Sequence, residues 1–259
     1  YFWYIVNRYK SVKITNPVVS DNGTILTDPD DIREDWTKYY ERLYKEGSDE
    51  NYDDDFKVFV ESELVRMRER VNNQEHLLTG GKIMPSEIND LIIKLKRNKA
   101  PGWDRITAEE LKYMGSIGVS ALTWMLNSIV DQIDIPMSLK KGLLVPIPKA
   151  DKDSSIKDNN RGITLLPVFY KLLEKIIIER EKVWFTKENV VDVLQSSGKE
   201  KCSCLHTSYL VQETIAYNRN RDATTHGAGL DGKKAFDTVW IAGMLYKLYK
   251  ADMNPTAIA

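Results

Sequence analysis

Apolar residues recur at helical spacing along most of the chain. Intervals of three and four residues between apolar positions predict a helix when they persist over several turns. The pattern predicts helices over about residues 30–44, 56–71, 84–99, 122–129, 168–184 and 210–215. In the first of these the apolar face is aromatic, which is typical of a packed core rather than of a base-stacking surface; its rings are Trp36, Tyr39, Tyr40 and Tyr44. Asp30 or Asp31 is the predicted cap of that helix.

Two stretches predict β-hairpins instead. Residues 18–19 and 25–26 flank Asn22-Gly23, which is typical of a two-residue hairpin turn. A second pair of apolar runs, at 143–149 and 163–166, flanks a charged loop. The first of these runs contains prolines, which cannot donate to a β-ladder, so we expect an edge or a bent strand.

Composition limits the possible functions. The 259 residues contain 37 Lys and Arg against 38 Asp and Glu, so the formal net charge is −1 and a basic surface must be local. A hydrophobic content of 42% excludes a disordered chain, and no apolar run approaches the length of a membrane span. Cys202 and Cys204 are too few and too close for a zinc site or an unstrained disulfide, which indicates reduced thiols in an intracellular protein. Acidic residues between 47 and 55 are typical of an exposed linker.

A local basic cluster stands at the end of the helix predicted over 84–99: Lys94, Lys96, Arg97 and Lys99. Cations at a helix C-terminus interact favourably with its dipole, which is a purely structural explanation. A contact with an RNA backbone is the functional one, because such contacts come from Lys, Arg and backbone N–H groups. The following Ala100-Pro101-Gly102 must turn, and Thr107 with Glu110 predicts a capping box for the next helix.

Two further cations belong to the second predicted hairpin. Lys149 ends its first strand and Arg161 begins its second, so the hairpin brings them near each other. They are either ordinary surface cations or a clamp for a triphosphate, which Arg can bind in a bidentate manner.

An acidic residue near the end of the chain stands in a pattern that suits phosphoryl transfer. Asp231 follows a short, weakly apolar segment predicted as a strand, although Gly227 and Gly229 weaken it. Two divalent ions commonly support such transfer, and Mg²⁺ takes only one or two protein carboxylates. The structural alternative is a strand-to-helix turn in which Asp237 or Thr238 caps a helix over 238–249.

Four ordered segments resemble the reverse transcriptase of non-LTR (LINE-type) retrotransposons. They begin at Asn98, Val145, Asn160 and Leu230, and they read N-K-A-P-G-W-D-R-I, V-P-I-P-K, N-R-G-I-T-L-L followed by Y-K-L-L-E-K, and L-D-G-K-K-A-F-D-T-V. Four matches in order, over about half the chain, are far more specific than a single motif.

The resemblance implies an α+β fold made of the fingers and partial palm of a right-hand polymerase, with a mostly helical N-terminal extension. It implies an extension and linker over residues 1–82 and an incomplete reverse transcriptase domain over 83–259. The family's second acidic motif, an aromatic-A-D-D hairpin, is missing from the sequence. The chain therefore looks like a fragment that ends just after the first catalytic palm motif, and we expect it not to polymerise by itself.

The resemblance also implies an activity: addition of dNTPs to a DNA 3′-hydroxyl on an RNA template by two-metal phosphoryl transfer. Asp231, with the Gly232 carbonyl, would hold Mg²⁺ (or Mn²⁺), and Phe236 would lie against the sugar. Lys149 and Arg161 would hold the triphosphate, and the basic cluster would lie along the template.

The implied partners are template RNA, a DNA primer or target, and dNTPs, with no membrane, and with nuclear action after cytoplasmic synthesis. The main alternative is a catalytically dead, RNA-binding transposon remnant. A group II intron-type maturase is less similar in the N-K-A-P-G and K-A-F-D-T-V segments.

Overall fold

The computed structural model describes residues 16–44, 53–73, 77–186, 190, 192, 194–199, 202–232 and 234–259. The acidic stretch predicted as a linker lies mostly outside the described residues. Two compact units make up the chain: residues 1–181 together with 237–259, and residues 182–236. The described part combines many helices with two small antiparallel sheets, which confirms the α+β class. The domain boundary near residue 82 stays a prediction.

The described elements, in chain order, are β1 (Val18–Val19), β2 (Ile25–Leu26), α1 (Pro29–Tyr44), α2 (Asp54–Asn72), α3 (Pro85–Lys94), α4 (Ala108–Tyr113), α5 (Gly115–Gln132), α6 (Met137–Lys140), β3 (Leu143–Pro148), a 3₁₀ turn (Lys157–Asn159), β4 (Asn160–Leu165), α7 (Val168–Phe185), α8 (Cys204–Arg219), α9 (Ile241–Lys250) and α10 (Pro255–Ile258). None of these helices is long and apolar enough to cross a membrane. Cys202 and Cys204 carry free, exposed thiols.

The first hairpin forms as predicted, but its turn differs. Val18 pairs with Leu26, and Val19 pairs with Ile25. The Ser20 N–H donates to the Thr24 carbonyl and the Gly23 N–H donates to the Ser20 carbonyl, both at 2.9 Å. The loop therefore has three residues between Ser20 and Thr24, with Gly23 at φ +83° in the left-handed conformation that closes such loops.

Helices α1 and α2 confirm the two predicted helices, with one correction at a cap. Neither Asp30 nor Asp31 caps α1; the Asp28 carboxylate does so by accepting from the Asp30 N–H at 2.8 Å. At the start of α2, the Asp53 carboxylate accepts from the Phe56 N–H at 2.9 Å. Both caps satisfy backbone donors that the first helical turn leaves unpaired.

A hydrophobic core forms where α3, α5 and α7 pack together. The predicted apolar faces of these helices supply most of it: Ile88, Leu91, Ile92, Leu122, Leu126, Ile129, Leu172, Leu173 and Ile176 are buried. Helix α5 ends at Gln132, because Ile133 takes a left-handed conformation at its C-cap. This core supports the β3–β4 hairpin through α7, which follows β4 directly.

Strands β3 and β4 form the predicted second hairpin. Leu143 pairs with Leu165 at one end and Pro148 pairs with Asn160 at the other. The sheet has two strands, so both prolines of β3 lie on an edge strand, as expected.

The aromatic face of α1 packs behind this hairpin. A Cβ built on Gly162 of β4 would lie 2.9 Å from the Tyr40 ring, so only glycine fits there. Tyr40 is 7% exposed and stacks on Trp36 and Tyr44, with centroids 5.5 and 5.8 Å away. Tyr40 is therefore core, as predicted, whereas Trp36 and Tyr39 are partly buried and Tyr44 is exposed.

Helix α9 packs against α2. The Phe56 ring contacts Trp240 at 6.1 Å and Phe59 contacts Tyr246 at 5.9 Å between centroids. The helix begins at Ile241 with Trp240 at its N-cap, so the prediction that Asp237 or Thr238 caps a helix from 238 is wrong.

Candidate functional site

Lys149 and Arg161 lie on one face of the β3–β4 hairpin. Arg161 pairs with Ile147, and the Lys149 N–H donates to the Asn159 carbonyl at 2.9 Å, which continues the ladder by one residue. Side chains alternate between the two faces of a strand, so Lys149 and Arg161 are diagonal neighbours on the same face. Gly162 faces Tyr40, so this cationic pair lies on the opposite face.

The two cations differ in their contacts. The Lys149 ammonium donates to the Asp158 carbonyl at 2.7 Å and is half-buried. Arg161 is exposed and forms no ion pair within the described part of the chain. One cation is thus held by the hairpin's own loop, while the other is available to an anion from solvent.

A buried lysine anchors that loop to the N-terminal elements. Lys157 is 6% exposed, and its ammonium lies 2.7 Å from a carboxylate oxygen of Asp21 and 2.7 Å from one of Asp35. Asp158, the next residue, accepts a hydrogen bond from the Tyr39 hydroxyl at 2.7 Å. Two successive residues of the 3₁₀ turn are therefore held by side chains from the β1–β2 loop and α1.

The charges in this anchor stabilise one another. Burial lowers the pKa of Lys157, but the hydrogen bonds that its ammonium donates to Asp21 and Asp35 outweigh burial and raise the pKa above its usual value. Hydrogen bonds from Lys157 and then Arg42 lower the pKa of Asp21. This cluster was not predicted from the sequence, because Lys157 is more than a hundred residues from Asp21 and Asp35 and each looks like an ordinary surface charge.

The segment that carries Asp231 lacks the predicted strand. Residues 223–232 have no regular secondary structure, which corrects the expectation that a strand end presents this carboxylate. Glycines at 227 and 229 have no side chain to pack and leave the backbone entropically costly to order. Asp231 and Gly232 are exposed, and Phe236 is 97% exposed. Their roles stay predictions.

Residues 231 and 232 offer oxygen atoms of the kind that Mg²⁺ binds. Across the described residues, no three metal-ligating side chains of His, Cys, Asp or Glu come together. Asp231 with the Gly232 carbonyl would supply two oxygen ligands, and Mg²⁺ commonly takes one or two carboxylates and fills its shell with phosphate oxygens and water. Two protein oxygens suit an ion that is also bound by phosphate oxygens and water, rather than one enclosed by protein ligands.

The basic cluster extends past its helix instead of ending it. Helix α3 stops at Lys94, and Leu95 turns into extended backbone, so Lys96, Arg97 and Lys99 lie in the following loop rather than in the predicted helix over 84–99. All four cations are exposed. The helix end has another cation: the Lys112 ammonium donates to the Ile92 and Ile93 carbonyls at 2.9 and 2.7 Å. The dipole explanation therefore applies to Lys94, in the last turn of α3, and to Lys112, but not to the three loop cations.

An open groove lies beside the cluster, between α3, α4 and α5. Its volume is about 780 Å³, and its polar lining includes Ser86, Asn89, Arg97, Ser116 and Ser120. The Arg97 guanidinium lies 5.9 Å from the centre of the Tyr113 ring, which is 73% exposed. An arginine beside an exposed ring resembles the stacking and phosphate contacts that single-stranded nucleic acids use.

The loop after the cluster is tightly fixed. A Cβ on Gly102 would lie 2.7 Å from the Pro167 backbone nitrogen, so the loop approaches the end of β4 closely. Glu109 accepts from the Asn98 N–H at 2.6 Å, and the Trp103 indole donates to the Ser138 carbonyl at 2.8 Å. The predicted capping box forms between Thr107 and Glu110.

Comparisons with known proteins bear on this arrangement. No family model matches the chain. The chain is 27% identical over 161 residues to an RNA-directed DNA polymerase from mobile element jockey of Drosophila melanogaster, covering 62% of this chain and 18% of the relative. It is 27% identical over 164 residues to a probable RNA-directed DNA polymerase from transposon X-element of the same species, covering 63% and 18%. It is 24% identical over 245 residues to an uncharacterized 149 kDa protein of transposon TX1 from Xenopus laevis, covering 92% and 18%.

These relatives confirm the resemblance to the reverse transcriptases of non-LTR retrotransposons, and the chain spans about a fifth of their length. Two of them carry polymerase names, and all three come from mobile elements.

Proposed function

We propose that this chain, homologous to a part of the RNA-directed DNA polymerases of mobile elements, forms the fingers and the beginning of the palm of such an enzyme. In this role it takes part in adding dNTPs to a DNA 3′-hydroxyl on an RNA template. Its partners are template RNA, a DNA primer or target, and dNTPs, and it acts in the nucleus after synthesis in the cytoplasm.

The observation that carries this proposal is the position of Lys149 and Arg161 as diagonal neighbours on one face of the β3–β4 hairpin. A triphosphate needs two or more cations at spacings that match its oxygens, and guanidinium can bind two of them at once. Diagonal neighbours on one face of a hairpin can approach a common anion, and these two are both cations.

Asp231, Gly232 and Phe236 have roles of their own in this proposal. Asp231 and the Gly232 carbonyl would hold Mg²⁺ or Mn²⁺. The bound ion would neutralise charge on the phosphates during transfer. Phe236 would lie against the sugar and disfavour a ribose 2′-hydroxyl. The basic cluster Lys94, Lys96, Arg97 and Lys99 would follow the template backbone, which such cations contact without reading sequence.

Nucleotide binding tests this function directly. Binding of a fluorescent dATP analogue to the chain is expected to weaken about tenfold or more in Arg161→Ala, because the variant cannot form a charge-assisted pair of hydrogen bonds with the phosphates. Lys152→Ala on the same loop is the matched control and should bind like the parent chain. Equal affinity in Arg161→Ala, Lys149→Ala and Lys152→Ala would contradict the assignment. Asp231→Asn should remove only the part of the affinity that depends on Mg²⁺.

A second candidate is the RNA-binding remnant without catalysis. The exposed loop cations beside the 780 Å³ groove favour it, because they form no ion pairs within the described part of the chain. This candidate predicts RNA binding that is indifferent to Asp231→Asn and no detectable affinity for dATP. The dATP measurement therefore separates the two candidates.

A further inference from the structure

A continuous hydrogen-bonded path joins helix α1 to Lys149. The Tyr39 hydroxyl donates to the Asp158 carboxylate at 2.7 Å, and the Asp158 carbonyl accepts from the Lys149 ammonium at 2.7 Å. The Asp158 carboxylate thus binds a side chain of α1, and its backbone carbonyl binds Lys149 on the cationic face of the hairpin. The position of the carbonyl that holds Lys149 depends on how firmly Asp158 is held.

The donor at the beginning of this path is itself rigid. The Tyr39 ring meets Trp36 and Tyr40 edge to face, with centroids 5.6 and 5.1 Å away. Aromatic contacts of this kind fix a ring in one orientation. The Lys157 ammonium lies 5.8 Å from the centre of the same ring, so the tyrosine contacts both Lys157 and Asp158.

The anchor of Lys157 fixes the other side of the turn. Its ammonium is shared between Asp21 and Asp35, and the Val19 N–H donates to the Ser155 carbonyl at 2.9 Å. A loop of this length between two strands would otherwise sample many conformations, and Lys149 would sample them with it. The contacts from the N-terminal elements remove that freedom before any ligand binds.

We propose that Tyr39, together with Lys157, is a positioning residue that holds the Lys149 ammonium beside Arg161 through Asp158. The inference rests on the proposed function in assigning Lys149 to the nucleotide. It adds that the N-terminal helix α1, outside the segments that resemble the polymerase motifs, sets the geometry of the nucleotide-binding face. Ordering a side chain in advance improves affinity because less entropy is lost on binding.

Chemical labelling of Lys149 in the whole chain tests the positioning without requiring polymerase activity. The probe is acetylation by an N-hydroxysuccinimide ester, read by mass spectrometry as the rate at Lys149 relative to Lys152, an exposed lysine of the same loop. The ratio is expected to rise about threefold to tenfold in Tyr39→Phe, the range that removal of one hydrogen bond corresponds to. Lys157→Met should raise it as well. Tyr44→Phe, on the same helix, is the matched control and should leave it unchanged.

Two outcomes separate the inference from the function on which it rests. If Mg²⁺-dATP fails to slow acetylation of Lys149 in the parent chain, the assignment of Lys149 to the nucleotide fails, whereas a raised ratio in Tyr39→Phe still supports the path. If dATP protects Lys149 and the ratio is unchanged in both Tyr39→Phe and Lys157→Met, the nucleotide site stands and the positioning role is overturned. A dATP affinity lowered in Tyr39→Phe but not in Tyr44→Phe would support both the assignment of Lys149 to the nucleotide and the positioning role of Tyr39.

Discussion

The Arg180 guanidinium donates to both oxygens of the Glu87 carboxylate, at 3.0 Å from Nε to Oε1 and 2.7 Å from Nη2 to Oε2. The same group donates to the carbonyls of Thr79, Gly81 and Lys82. The Arg180 side chain is only 10% exposed. A single side chain of α7 therefore fixes both the turn at residues 79–82 and the first turn of α3, the helix that precedes the basic loop.

Replacing Arg180 with methionine should lower the free energy of unfolding by about 2 to 3 kcal/mol. This is less than for a fully buried pair, because the Glu87 side chain is 36% exposed. Urea denaturation measures the change from the transition midpoint at constant slope. Arg66→Met removes the exposed pair with Glu63 and should change stability by less than about 0.5 kcal/mol. Equal losses of stability in the two variants would contradict the structural role of the Arg180–Glu87 pair.

The same pair makes stability depend on pH. The Arg180 hydrogen bond lowers the pKa of Glu87 below its ordinary value of 4.5, although burial opposes this. A carboxyl with a lowered folded-state pKa contributes stability above its unfolded-state pKa and loses it as the pH falls through the folded-state value. Unfolding free energies measured between about pH 3 and pH 6 should fall less steeply with acid in Glu87→Gln and Arg180→Met than in the parent chain. If the unfolding free energy depended on pH equally in the parent chain and both variants, other carboxyls would dominate the pH dependence of stability.

Gly102→Ala should destabilise the chain by about 1 to 3 kcal/mol, the usual range for overpacking. Its Cβ would meet backbone atoms of Leu166 and Pro167 within 2.9 Å, and backbone cannot rotate aside as a side chain can. Gly227→Ala is the control, because no atom lies within 4 Å of its Cβ. That change should be neutral or slightly stabilising through the unfolded state. Thermal unfolding of the two variants distinguishes them.

The basic cluster should give RNA affinity a steep salt dependence. Converting Lys94, Lys96, Arg97 and Lys99 to Gln is expected to reduce the slope of log affinity against log salt by about 0.7 for each phosphate that the chain no longer neutralises. Fluorescence anisotropy with a labelled single-stranded RNA at several salt concentrations measures this slope. Lys175→Gln, an exposed change on α7, should leave it nearly unchanged. An unaltered slope in the fourfold variant would remove the cluster from the RNA-binding surface.

Hydrophobic periodicity predicted much of the fold because local patterns dominate these elements. The β3–β4 hairpin and α7 coincide with the apolar runs from which they were predicted. The end of α3 was mispredicted because Leu95 continues the apolar face past Lys94, while Lys112 satisfies the carbonyls where the helix stops. Helix termini depend on such distant partners, which a single stretch of sequence does not reveal.

The candidate site was predictable only in part. Lys149 and Arg161 lie together because hairpin pairing is a local property. The strand before Asp231 is absent from the described segment because its glycines supply neither packing nor stiffness. Tyr39 and Lys157 could not have been found, since their connection to Lys149 depends on α1 docking behind the hairpin.

The packing of α2 on α9 bears on how this chain can diverge. Phe56 and Phe59 lie in the predicted N-terminal extension, whereas Trp240 and Tyr246 follow the Asp231 segment. If two related mobile elements recombined at a point between the segments that encode α2 and α9, the rings of α2 would come from one parent and those of α9 from the other. Descendants that keep a fitted interface must then inherit the two helices together or change them in step. We therefore expect α2 and α9 to be inherited together, although nearly two hundred residues separate them in the sequence.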